Sequence, residues 1–256
     1  KLPWQRLPKP CKRHQKTLTP QEEIYLDQEV ERMLKERAIY VNENKDLVLS
    51  SIYTVPKKNG KRRPVHNLRW VNGHLQDKHF KMPTMKDVKA MLAPGDYLAS
   101  LDLTDCFWCL PVAEADQRFL SFRWRGVNYS FRCLPFGLKL SPYFITKLFK
   151  PVVAHLQAEG HSVLLYLDDM LIVGATQDEC KRSASRAVQL LTELGARINY
   201  EKSSLQPSQQ LEYLGFCINT VDMHMTLTAP TRKVKNLTKS MKAALRRPAI
   251  SARDAA

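Results

Sequence analysis

The sequence predicts an α+β protein, a mostly antiparallel sheet with helices on one face. Three observations lead there. Helical periodicities and short β-branched runs follow one another as helix, strands, helix, hairpin, helix, strands. Turn chemistry at Asn59-Gly60, Arg125-Gly126 and Asp168-Asp169 stands between paired apolar runs. Neither a G-x-G-x-x-G nor a Walker sequence is present, so the nucleotide-binding folds they mark have no support. The 256 residues suit one large or two modest domains, and 44% hydrophobic with 25% charged residues describes an ordinary globular chain. No apolar run approaches the roughly 18 residues a membrane span needs. With no initiator Met, no signal-peptide pattern and an end at "ISARDAA", the sequence reads as a piece of a longer polypeptide.

Residues 1–18, with three prolines, read as an extended basic arm. "TPQEE" (19–23) should open a helix: Thr19 suits the N-cap, Pro20 the first position, and Glu22 completes a capping box. The helix should run to about Arg37 and bury Ile24, Val30, Met33 and Leu34. "SSIYTVPKKNGKRRPVHNLRWVN" (50–72) reads as two strands joined by a basic turn at Asn59-Gly60. "DYLASLDLTDCF" (96–107) begins with a strand that buries Leu98 and Leu101 and delivers Asp102 near its end. "RFLSFRWRGVNYSFRCL" (118–134) alternates as a hairpin turning at Arg125-Gly126. In "SPYFITKLFKPVVAHLQAEG" (141–160) a helix should start at Ser141 as N-cap, kink at Pro151 and end at Gly160. The Asp-Asp hairpin follows. A helix from about Gln177 to Leu194 places Ala184, Ala187, Val188, Leu191 and Leu194 on one face, with Gly195 as its stop. Short strands are expected at 197–200 and 211–218, then a basic helix near 230–246. Its apolar stripe, Val234, Leu237, Met241 and Leu245, should pack on the body while its lysines face phosphates.

The net charge of +15 is concentrated. Residues 1–16 carry six Lys/Arg and no acid, residues 231–256 carry eight against Asp254 alone, and "KKNGKRR" (57–63) adds five. Three basic regions around a near-neutral body suit a polyanion, nucleic acid first; the plainer reading is a set of solvated termini. Six cysteines are scattered, and "CFWC" (106–109) has the CxxC spacing. No second pair at zinc spacing accompanies it, so buried free thiols in a reducing compartment are expected.

"SVLLYLDDMLIVG" (162–174) sets Asp168 and Asp169 between two apolar runs. In one continuous strand a charge would point into the core, so a hairpin with Asp-Asp forming or abutting its turn is expected. Two carboxylates roughly 4 Å apart repel by about 4 kcal/mol at an effective dielectric near 20. Solvent at a polar tip or a bound cation would relieve that.

"YLDD" (166–169), preceded by "LDLTDCF" (101–107) and "LPFGLKLSP" (134–142), resembles a reverse transcriptase. "RPVHNLRWVN" (63–72), "HFKMPT" (79–84) and "LEYLGF" (211–216) match in family order, covering about residues 20 to 230. The "PFGL" form and the helix after it resemble long-terminal-repeat and DIRS-like retroelements more than lentiviruses.

The resemblance implies a polymerase right hand: a basic arm at 1–19, fingers at 20–94 and 110–140, palm at 95–109 and 141–224, and the start of a thumb at 225–256. It implies RNA-directed DNA synthesis, adding dNTPs to a primer strand on an RNA or DNA template with two Mg²⁺ ions, Mn²⁺ being able to substitute. Hard divalent ions prefer carboxylates, and in-line phosphoryl transfer needs their charge. Asp102 and Asp168 would be the main ligands and Asp169 a support. Lys58 and Arg63 match residues that hold the β- and γ-phosphates. Backbone N–H groups near Asp105 and Cys106 would meet the triphosphate, with capping of the following turn as the plainer role for the Asp105 side chain. Phe107 stands where the family keeps an aromatic against a ribose 2′-hydroxyl. Phe136 replaces a glutamine that contacts the nucleotide in retroviral enzymes. Leu214 and Gly215 match the primer grip. Lys202 lies near the position where the family places a lysine to protonate departing pyrophosphate, a surface lysine being the plainer reading. Such an enzyme would work inside the cell, in cytoplasm or nucleus, without a membrane; no oligomeric state follows. The rivals are an RNA-directed RNA polymerase and a domesticated, non-catalytic nucleic-acid-binding palm.

Overall fold

The computed structural model describes residues 1–15, 17–56, 62–221 and 225–245. They fall into two compact units, one of residues 1–82, 104–152 and 195–197, the other of residues 83–103, 153–194 and 198 onward.

In the first unit, helix α1 (Pro20–Lys35) opens as the sequence predicts. The Thr19 hydroxyl accepts from the Glu22 N–H at 3.3 Å, and the Glu22 carboxylate accepts from the Thr19 N–H at 2.9 Å. The buried face is Leu26, Val30 and Met33. Ile24, expected inside, is 58% exposed, because at 100° per residue it lies nearly opposite Met33.

A five-stranded sheet runs in the order β1 (Cys11–Lys12), β3 (Val48–Ser50), β7 (Ser121–Trp124), β8 (Val127–Phe131), β2 (Ile39–Val41). Its β1/β3 and β3/β7 pairs are parallel and the other two antiparallel. The β7–β8 turn falls at Arg125-Gly126, both with positive φ, as a tight two-residue hairpin requires. The basic arm is docked: the Leu2 N–H and the Trp4 indole both donate to the buried Asp116 carboxylate, at 2.6 and 2.7 Å. Strands β4 (Ile52–Pro56) and β5 (Arg62–His66) form the predicted basic hairpin, and its tip, with Lys57, Lys58, Asn59, Gly60 and Lys61, lies outside the described residues. Short helices α2 (Arg69–Asn72) and α4 (Glu114–Gln117) complete the unit.

The second unit holds an all-antiparallel sheet in the order β11 (Ser204–Ser208), β6 (Tyr97–Asp102), β10 (Asp169–Gly174), β9 (Ser162–Tyr166). Helix α6 (Gln177–Glu193) packs on β10, β6 and β11 through Cys180, Ala184, Ala187 and Leu191. Leu194, expected on that face, is 59% exposed, because the helix stops at Glu193 and Gly195 at φ +80° turns the chain away. Val88 of α3 (Met85–Ala90) joins Leu98, Leu164, Leu171, Val173, Tyr213 and Ile218 in one apolar core.

Several expectations shift. Instead of a strand at 197–200 there is a single bridge from Ile198 to Leu103, and the pairing strand is β11. Its sequence "SLQPS" is polar with a proline, tolerable only at a sheet edge and invisible to a search for alternation. The 211–218 run is a hairpin, β12 (Gln210–Tyr213) and β13 (Phe216–Asn219), followed by β14 (Thr226–Thr228). Helix α5 (Ser141–Ala158) continues through Pro151 and ends before Gly160 at φ +89°. The Ser141 hydroxyl donates to the Pro135 carbonyl at 2.9 Å instead of capping the helix. Helix α7 (Thr231–Leu245) leaves its apolar stripe exposed, from 49% at Val234 to 82% at Leu245, contrary to the packing expected. The six cysteines, all among the described residues, form no disulfide; Cys106, Cys133 and Cys180 are buried, whereas Cys109 is exposed. Among the described residues no helix is long and apolar enough to cross a membrane.

Candidate active site

Burial sets the register that gathers the acidic residues. Leu98, Ala99 and Leu101 of β6 and Met170 to Val173 of β10 are all buried, so a one-residue slip would place wrong side chains inside. In the register observed, Asp169 pairs with Asp102, and antiparallel partners project from the same face of the sheet. Asp169 also pairs with Tyr166 of β9, which leaves Leu167 and Asp168 as the turn. The turn therefore sits one residue earlier than an Asp-Asp tip. Leu167, not an aspartate, takes the left-handed conformation, at φ +56°. Asp169 is thereby a strand residue facing the same way as Asp102, with Asp168 next to it in the turn.

The backbone around these residues is pinned. The Leu103 N–H donates to the Asp168 carbonyl and the Asn199 N–H to the Asp102 carbonyl, each at 2.8 Å. The Tyr213 hydroxyl donates to the Asp169 carbonyl at 2.9 Å. Burial first, then the charges of Asp168 and Asp102, push the Asp169 carboxyl up to about 6. The Lys202 ammonium stands 3.4 Å from the Asp102 carboxylate, whose side chain is 12% exposed. Crowded like charges on hard oxygen donors are the chemistry a hard divalent cation relieves. Among the described residues, no three His, Cys, Asp or Glu side chains are grouped closely enough to hold a metal ion in this conformation. A cavity of about 420 Å³ in the same unit brings Asp169 and Lys202 together with Tyr213, Leu214 and Gly215. Leu214 at φ +47° and Gly215 at φ +76° form the β12–β13 turn, and the Lys233 ammonium donates to the Gly215 carbonyl at 2.9 Å.

The other predicted residues belong to the first unit. Arg63 is exposed on β5 opposite Val55, while Lys58 lies outside the described residues. Arg62, counted in the basic run at 57–63 that suits a polyanion, is committed within the protein: its guanidinium pairs with Glu22 and donates to the Thr54 hydroxyl at 2.7 Å. Cys106 and Phe107 open a 3₁₀ turn, Cys106–Cys109, and both are buried. The Phe107 ring meets the exposed Phe136 ring edge-on, with centroids 4.8 Å apart. Asp105 makes no side-chain cap, contrary to the plainer expectation. Its carboxylate is taken by two arginines, Arg32 at 2.8 Å and Arg197 at 3.4 Å. Neither arginine carried a sequence signal, since each reaches Asp105 from far along the chain. The Tyr213 hydroxyl bond to Asp169 likewise carries no signal in "LEYLGF", since its partner lies 44 residues away.

A family described as reverse transcriptase (RNA-dependent DNA polymerase) matches residues 55–218. The Gag-Pol polyprotein of koala retrovirus is 31% identical over 180 residues, 67% of this chain and 10% of that polyprotein. The chain thus spans about a tenth of the length of the polyproteins it resembles. Two foamy virus protease–reverse transcriptase structures share its fold. One, in complex with double-stranded DNA, has a TM-score of 0.78 at 20% identity, over 98% of this chain and 41% of the other. The second, with an RNA/DNA hybrid, has a TM-score of 0.76 at 21% identity, over 93% and 32%.

Proposed function

This chain belongs to the reverse transcriptase family, and from that premise we propose that it is the polymerase part of a retroelement polyprotein. It would extend a primer 3′-hydroxyl with dNTPs on an RNA or DNA template. Residues 20–94 and 110–140 would serve as fingers, 95–109 and 141–224 as palm, and 225–256 as the start of a thumb. The observation that carries the reading is the register of Asp169 against Asp102, with Asp168 in the adjoining turn.

The Asp102, Asp168 and Asp169 carboxylates, drawn closer together than they stand in this conformation, would hold two Mg²⁺ ions, or Mn²⁺ in their place, and the ions would supply positive charge at the α-phosphate and acidify the attacking hydroxyl. The chain's own residues do the rest. Arg63 and Lys58 would bind the β- and γ-phosphates, Arg63 being the exposed arginine of its pair. Backbone N–H groups at Asp105 and Cys106 would meet the triphosphate. Phe107, backed by Phe136, would exclude a ribose 2′-hydroxyl by bulk. Phe136 brings no hydrogen bond to the nucleotide, so its contribution is packing. Leu214 and Gly215 would hold the primer end, where the glycine lets a backbone approach closely. The Lys202 ammonium is the proton source for departing pyrophosphate, and its 3.4 Å contact with Asp102 supports that role. The basic arm and α7 add attraction for the template-primer.

The test is extension of a DNA primer on an RNA template with dNTPs and Mg²⁺, run beside an Asp168→Asn, Asp169→Asn double variant. Extension by the parent alone is expected. If neither protein extends a primer that both bind tightly, the chain is a non-catalytic nucleic-acid-binding domain. Incorporation of NTPs in preference to dNTPs would make it an RNA-directed RNA polymerase.

A further inference from the structure

Two residues after Asp102 in the chain begins a turn whose conformation costs free energy. Asp105 sits at φ +47°, in the left-handed region outside the range most L-residues prefer. Its backbone carbonyl accepts from the Trp108 N–H at 2.8 Å, closing the turn that carries Phe107. The Asp105 side chain gives no local support to that turn, and its oxygen is turned toward α1.

Arg32 of α1 holds the turn at two points. Its guanidinium donates to Asp105 at 2.8 Å and lies 4.8 Å from the centre of the Trp108 ring. Among the described residues the buried Trp108 indole nitrogen has no hydrogen-bond partner, so ring contacts rather than a polar anchor place this side chain. Arg32 is itself aimed by Glu29 at 3.1 Å and Glu36 at 3.3 Å. Arg197 adds a weaker second hold on Asp105 at 3.4 Å. A planar fork satisfying an acid at its edge while stacking on an indole is a task for arginine that lysine performs poorly.

We propose that Arg32 is a positioning residue for sugar selection: through Asp105 and Trp108 it fixes the turn that sets Phe107 against Phe136. The proposal rests on the polymerase reading above, and Arg32 itself touches no substrate. Removing it leaves Asp105 held by Arg197 alone, which frees the turn without emptying a core position.

The test uses Arg32→Gln, Arg32→Lys and, as a control, Arg125→Gln, which removes a different α1 ion pair to Asp27. Two readouts are needed. Amide hydrogen exchange across 104–109 should quicken about tenfold in Arg32→Gln, with the rest of the first unit unchanged. The ratio of kcat/KM for a dNTP over its NTP should fall about tenfold, with dNTP kcat falling less. Arg32→Lys should lie between, and Arg125→Gln should match the parent in both. Unchanged exchange at 104–109, or exchange that rises evenly through the unit, overturns the positioning role. Faster local exchange with intact sugar discrimination overturns the link to selection. A parent that extends no primer sinks the polymerase reading and the selection role with it, while the exchange data still decide whether Arg32 orders the turn.

Discussion

Acid should weaken this protein through His66, and the size of the effect follows from where that residue sits. His66 closes β5 at 5% exposure, stacked on Phe131 with centroids 5.4 Å apart and edge-on to Phe122 at 5.6 Å. One ring nitrogen lies 3.3 Å from the Ser121 carbonyl, and among the described residues the other has no partner. Burial lowers its pKa from an ordinary 6.5 to about 4. A histidine depressed in the folded state contributes stability that is complete above its unfolded pKa and is lost as pH falls toward the folded one. That gap is worth about 3 kcal/mol in full, of which about 2 kcal/mol is lost between pH 7 and pH 5. His66→Phe keeps the aromatic cluster and removes the titration. Its stability at pH 7 will differ from the parent's, since the bond to Ser121 is lost, but the slope with pH is the quantity of interest. Urea unfolding at pH 7 and pH 5 should show the parent losing about 2 kcal/mol more than the variant. Equal losses in the two proteins would refute the reasoning, because they would mean that His66 charges in the folded state without penalty. The chain beside Phe136 packs directly on the His66 backbone, since a Cβ on Gly137 would sit 2.7 Å from the His66 carbonyl.

Other predictions follow from single contacts. Phe107→Val should raise ribonucleotide incorporation at least about tenfold, read as the ratio of NTP to dNTP incorporation; unchanged discrimination would remove Phe107 from sugar selection. Gly174→Ala should destabilise by about 3 kcal/mol in urea, because its Cβ would fall 2.4 Å from the Cys180 backbone nitrogen where β10 meets α6. A loss under about 0.5 kcal/mol would show that approach to be looser. Lys202→Ala should lower kcat for primer extension while template-primer affinity holds, and an unaltered kcat would exclude it as the proton source.

Much of this was legible in local pattern. The α1 capping box, the Arg125-Gly126 turn and the strand ending at Asp102 needed only short-range rules, since helix caps and tight turns are decided within a few residues. The three aspartates stood out because acidic residues beside apolar strands demand a reason. Where local rules failed, distant partners had decided. Leu167 carries the left-handed φ because strand pairing on both sides leaves it no alternative, although Asp168 would take that conformation more readily. Strand β11 is polar because an edge position beside β6 asks little of its side chains. Asp105 makes no cap because Arg32 and Arg197, 73 and 92 residues away, outcompete its own turn for the carboxylate. The sequence by itself determined the long helices, the hairpins, the acidic residues and the family they resemble. Tertiary structure alone decided that Asp169 faces with Asp102, and that Asp105 belongs to an ion-pair network, because both depend on the register and approach of segments far apart in the chain.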